Sequence, residues 1–121
     1  MKIHRLIPYL PAKDYYRSSE FYQAMGFTQL FIAQEFSEMK NNHLSFYLQD
    51  FFVKELAENL MFEIKVENLN EFYSHMQTVK VVFSEIKVGE ISTNGQSLEF
   101  NVWDPCGVLW VVSAANQFAL Q

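Results

Sequence analysis

The sequence predicts an α+β fold of two βαβββ modules that together form an open, curved mixed sheet. Three observations carry that reading. Segments with an apolar residue at every second position outnumber helical ones, and the order strand, helix, strand, strand, strand occurs twice. Both helical segments also carry one string, Glu20-Phe21-Tyr22-x-x-Met25 and Glu71-Phe72-Tyr73-x-x-Met76, as an internal repeat does.

In the first module, Ile3 to Leu10 reads as a strand. Asp14 caps a helix running to Met25, and Gly26 stops it. Extended segments follow at about Phe27 to Gln34, Phe36 to Lys40 and His43 to Gln49. In the second module, Met61 to Glu67 alternates cleanly, with Phe62, Ile64 and Val66 on one face and Met61, Glu63 and Lys65 on the other. Asn68 and Glu71 stand as cap and partner of a helix to about Val79, whose apolar stripe is Leu69, Phe72, Tyr73 and Met76. Val81 to Val88 returns to an extended pattern. A polar loop covers about Glu90 to Gln96, and Leu98 to Trp103 alternates again. Asp104-Pro105-Cys106-Gly107 is a turn with Pro at its second position and Gly at its fourth, and Val108 to Ser113 completes a hairpin. The cap-to-strand spacing differs slightly between the two modules, so the repeat is not in perfect register.

Composition sets the scale. The chain has 121 residues, 50% hydrophobic and 17% aromatic, which suits one compact domain over 1–121, with modules at about 1–58 and 59–121. Nine Lys and Arg, none in a run, against a net charge of -5 give no footprint for a phosphate backbone, so nucleic acid is not an expected partner. The lone Cys106 cannot form an internal disulfide or a two-cysteine zinc knuckle. Val108 to Ala115, the longest strongly apolar stretch, is far short of the roughly 20 residues that span a bilayer, and Pro8 and Pro11 interrupt the apolar opening. A cytoplasmic protein with no membrane partner is expected.

Alternation divides the strand residues into two sets. Leu6, Pro8, Leu10, Phe62, Ile64, Val66, Phe100, Val102, Trp110 and Val112 are expected to face the helices. Arg5, Ile7, Tyr9, Met61, Glu63, Lys65, Glu99, Asn101, Trp103, Leu109 and Val111 then face the open side, joined by Phe36 and Tyr47. One reading makes Tyr9, Phe36, Tyr47 and Trp103 an aromatic wall for a small molecule, with Glu63, Glu99 and Asn101 orienting its polar groups. The other packs the same rings into a core or a dimer seam. Glu63 and Lys65 read either as a ligand clamp or as mutually neutralising surface charges, and Cys106 as a bystander in its turn.

The stretch Ile7-Pro8-Tyr9-Leu10-Pro11-Ala12-Lys13-Asp14, followed by Ser18, Phe21-Tyr22 and Gly26-Phe27, resembles the opening of the vicinal oxygen chelate superfamily. Trp103-Asp104-Pro105-Cys106-Gly107-Val108-Leu109-Trp110 is similar to that superfamily's closing DPxG hairpin, with Cys106 where Asp is usual. The bleomycin-resistance proteins are the nearest relatives on this resemblance. It implies a homodimer that sequesters a small molecule in clefts between subunits. It also implies a metal on four strand positions, which fall here on Ile7, a residue near Phe46 or Tyr47, Met61 and Val111. These offer no suitable nitrogen or carboxylate donors, and His4, His43 and His75 share no close spacing, so no metal and no cofactor are expected. The functional expectation is metal-independent binding of a ligand, with a cationic antibiotic as one possibility, at Tyr9, Phe36, Tyr47, Glu63, Lys65, Glu99, Asn101, Trp103, Leu109 and Val111, without a catalytic residue. The alternative is a metal-free isomerase or lyase using Glu63 or Glu99 as base.

Overall fold

A computed structural model describes residues 1–115. The first module runs β1 (Tyr9–Ala12), α1 (Tyr15–Met25), β2 (Thr28–Ala33), β3 (Phe36–Asn41) and β4 (Leu44–Asp50). A short α2 (Lys54–Asn59) leads into β5 (Met61–Lys65), α3 (Leu69–Val82), β6 (Lys87–Val88), β7 (Ser92–Asn94), β8 (Ser97–Trp103) and β9 (Leu109–Ala115). The chain forms two mixed sheets, ordered β1-β4-β3-β2 and β5-β9-β8-β6, with β7 also paired to β8. In both, the strand before the helix pairs in parallel with the last strand of its sheet: β1 with β4 and β5 with β9. That shared arrangement is the repeat foreseen from the two strings.

Local chemistry sets the helix ends. The Asp14 carboxylate accepts from the Arg17 amide at 3.2 Å, and the Asn68 side chain accepts from the Glu71 amide at 3.0 Å, so each helix satisfies one of its free amides. Gly26 ends α1 at φ 126, a conformation that disfavours any side chain, and its amide donates to the carbonyls of Tyr22 and Gln23. Phe21, Tyr22 and Met25 on α1, with Met76 and Val79 on α3, cover Leu10, Met39, Phe46 and Leu48 of the first sheet and Phe100, Val102, Trp110 and Val112 of the second.

Four expectations need correction. The strand assigned to Ile3–Leu10 starts only at Tyr9. Residues 1–8 form an arm without regular structure, in which Leu6, assigned to the helix side, is 91% exposed. Pro8 has no amide to donate, so the arm's link to β4 there is the Tyr47 amide donating to the Pro8 carbonyl at 2.9 Å. Val81 and Val82 extend α3 rather than opening a strand: the helix, already packed through Met76 and Val79, continues through them and leaves both side chains exposed on its last turn. The loop at Glu90–Gln96 contains β7, which pairs with β8 through Ser92↔Glu99 and Asn94↔Ser97. Helix α2 had no counterpart in the sequence reading.

One polar cluster joins the two modules. The Tyr22 hydroxyl of α1 donates to Asp104 Oδ2 at 2.5 Å and accepts from Trp110 Nε1 at 3.0 Å. Asp104 Oδ1 accepts from the amides of Cys106 and Val108, both at 2.9 Å, which closes the DPxG turn. At the periphery Arg17 grips Glu85 with two nitrogens, at 2.7 and 3.0 Å, donates to the Val82 carbonyl and lies 4.1 Å over the Phe83 ring.

Candidate functional site

Strand register fixes the open face of each sheet. On the first, Tyr9, Tyr47, Glu38 and Leu30 lie side by side across β1, β4, β3 and β2. Tyr9, Phe36 and Tyr47 form a mutually touching cluster, with ring centroids 4.9 to 5.9 Å apart. Tyr9 nevertheless remains 54% exposed. Phe46, on the opposite face, is buried in the core; Tyr47 is therefore the β4 residue that looks outward.

On the second sheet, the residues assigned to the open side fall into three registered rows. Met61, Leu109 and Trp103 form one, Glu63, Val111 and Asn101 the next, and Lys65, Ser113 and Glu99 the third. Ser113 Oγ donates to Glu63 Oε2 at 2.7 Å, and Lys65 Nζ donates to the same oxygen at 3.1 Å. These two bonds, the Ser113 one foremost, hold the Glu63 carboxyl below its usual range. A carboxylate so stabilised is a weak base, which argues against Glu63 as a proton acceptor in catalysis.

The four-ring wall needs correction. Trp103 stands on the other sheet, and among the described residues no ring contact joins it to Tyr9, Phe36 or Tyr47. A gap bounded by the arm, the start of β4 and β5 separates the two sheets. A cavity of about 420 Å³ occupies it. Leu6, Leu10, Phe62 and Trp110 line its apolar part, and Ser45 from the first face meets Glu63 and Lys65 from the second along it. This gap was not legible in the sequence, since it depends on how two sheet edges are spaced.

Sequence reasoning also missed Glu38. The period of two that turns Phe36 outward does the same for Glu38. Arg5, expected on the open side, reaches across β4 from the arm and pairs with Glu38 Oε2. The same guanidinium nitrogen donates to Ser45 Oγ at 2.9 Å, and Ser45 Oγ donates to Glu38 Oε2 at 2.6 Å. Ser45 first, then Arg5, holds the Glu38 carboxyl below the usual range.

The metal positions that the sequence resemblance implies do not fit a metal. Ile7, Met61 and Val111 bring two hydrocarbons and a thioether, and Tyr47 is already packed against two rings. The carboxylate registered against Val111 is Glu63, whose Oε2 is occupied by Ser113 and Lys65. Among the described residues no three His, Cys, Asp or Glu side chains gather as a ligand set. Cys106 is half-buried against the Pro11 carbonyl, and burial, seconded by the Asp104 charge, pushes its thiol up to about 12, far from a nucleophile's range. Among the described residues no helix is long and apolar enough to cross a membrane.

Comparison with known proteins places the fold. No protein-family profile matches the chain, and no curated protein matches it in sequence. Solved structures do. A bleomycin-binding protein from Streptomyces verticillus, complexed with copper(II)-bleomycin, is 18% identical with a TM-score of 0.77, over 95% of this chain and 98% of that one. An antibiotic-binding protein from another Streptomyces is 15% identical with a TM-score of 0.76, over 95% and 98%. A fosfomycin resistance protein from Listeria monocytogenes is 11% identical with a TM-score of 0.76, over the whole of both chains. The chain has the fold of the glyoxalase, bleomycin-resistance and dioxygenase proteins.

Proposed function

We propose that this chain, which carries the vicinal oxygen chelate fold, is a metal-independent binding protein that sequesters a small organic molecule over its open sheet faces, as a homodimer. The observation that carries the reading is the cluster of Tyr9, Phe36 and Tyr47, an aromatic surface that touches itself and is left part-exposed by its own chain. Aromatic clusters on an open face gain from covering, by a flat ligand or by a partner subunit. On the second sheet, Trp103, Leu109 and Val111 supply apolar contact, and Lys65, Glu99 and Asn101 supply polar groups in adjacent rows. A two-fold partner whose second sheet faces the aromatic cluster gives two equivalent pockets. The similarity in fold to bleomycin-binding and other antibiotic-binding proteins supports ligand capture, and the hydrogen bonds to Glu63 make it a poor base.

Titration calorimetry with bleomycin as probe, on protein freed of metal by chelator, tests the reading. Saturable binding without product is expected. Tyr47→Ala and Trp103→Ala should each weaken it by about 1–3 kcal/mol, the range for truncating a large aromatic anchor. Sedimentation at micromolar concentration should give twice the chain mass. A monomer, or unaltered affinity in both variants, would sink the proposal.

A further inference from the structure

We propose that Arg5 is an internal placeholder for a planar cation, and that Glu38, beside the aromatic cluster, is the anionic subsite for a guanidinium or amidinium group of the ligand. This deepens the binding reading above and rests on the first sheet's open face being where ligand lies. Glu38 is directly opposite Tyr47 in the β3–β4 register, and Tyr47 is directly opposite Tyr9. A carboxylate, two tyrosines and Phe36 therefore share one patch. Its charge is well formed: the Glu38 side chain is only 13% exposed, Ser45 donates to it, and its proton affinity is lowered accordingly.

The group that meets it is Arg5, a residue of the arm. Residues 1–8 lie outside the strands and Met1 and Ile3 stand in solvent; besides Arg5, the arm is tied by the Tyr47 amide on the Pro8 carbonyl, and Leu6 and Pro8 rest at the cavity. The Arg5 side chain is itself 49% exposed, and a single nitrogen makes both of its contacts, to Glu38 and Ser45. The carboxylate is fixed on a central strand of the sheet while its counterion is on the least fastened piece of chain. Exchange of that counterion disturbs neither sheet nor core. An incoming planar cation takes the same acceptors, its attached ring lies against Tyr9 and Phe36, and delocalised cations over aromatic faces are favoured further. Lys40, paired with Ser45 across the strands, is the other cation near Glu38 and supports its ionised state.

Benzamidine and its neutral isostere benzamide are the probes, titrated by calorimetry or ligand-observed NMR into the full-length protein. Arg5→Ala should bind benzamidine at least tenfold more tightly than the unmodified chain, with benzamide changed less than twofold. Adding Glu38→Gln to Arg5→Ala should abolish the preference for benzamidine. Arg5→Lys, which keeps a cation but not the planar fork, should fall between. Equal affinity of the unmodified chain and Arg5→Ala for benzamidine overturns the placeholder role. So does equal affinity of the two probes for Arg5→Ala, or failure of benzamidine to bind that variant. The bleomycin titrations of Tyr47→Ala and Trp103→Ala report on the wider site independently, so they can succeed where the benzamidine preference fails. Melting curves of each variant confirm that the fold is retained, since Arg5 and Glu38 contribute nothing to the buried core.

Discussion

Asp104 ties the closing turn to the first helix. It is 2% exposed and accepts from two amides of its own turn and from the Tyr22 hydroxyl of the other module. Burial raises its proton affinity, and those three donors oppose the rise. Asp104→Ala strips the acceptor from all three, so urea unfolding should show a loss of roughly 3 kcal/mol, while Tyr22→Phe should lose about 1–2 kcal/mol. Cys106 beside it should resist iodoacetamide at pH 8 in the folded protein and react readily in denaturant, because its thiol is held up to about 12 only by the native surroundings. At this scale the sequence was partly legible. The turn motif was plain, but Asp104 reaching Tyr22 depends on packing between distant segments. Glu38 could have been placed by counting two from Phe36, whereas its pairing with Arg5 depended on the path of an arm that alternation had assigned to a strand.

Regular periodicity gave most elements to within a residue or two. The failures have local causes. Helix α2 is six residues long, Val53 at its cap makes no side-chain bond, and Ala57 is the residue it buries, so neither capping nor an apolar stripe marks it. The end of α3 carried β-branched residues whose strand preference was overridden by continuation of a helix already packed through Met76 and Val79. That end is also where the helices are tied, through Arg17 and Glu85. Arg17 holds the Glu85 carboxyl below its ordinary value of 4.5, so the stability it lends is full above that pH and fades as the pH falls through the lowered value. The difference in melting temperature between the unmodified protein and Glu85→Gln should therefore be present at pH 7 and shrink as the pH falls below 4.5. At the other helix, Gly26→Ala forces a side chain into φ 126 and should cost about 1 kcal/mol or more by denaturant titration.

The whole molecule follows a rule that both modules obey: the strand preceding the helix is closed by the strand that comes last in its sheet. From sequence, the repeated order of elements was visible, and so was the division of side chains between two faces. The gap between the sheets was not, because nothing in a single strand's pattern encodes the spacing of two sheet edges. The parallel closure bears on how the protein comes into being on the ribosome. The first sheet has all its strands once Asp50 has emerged, but β9 lies between β5 and β8, so the second sheet has no centre until Leu109 to Ala115 are made. Until then β5 and β8 are two separate edges, and the Tyr22 hydroxyl waits without Trp110. A frameshift or stop between Phe51 and Leu109 thus releases a chain with one finished sheet and one that cannot close, which a nascent-chain protease assay would see as resistance confined to the first half.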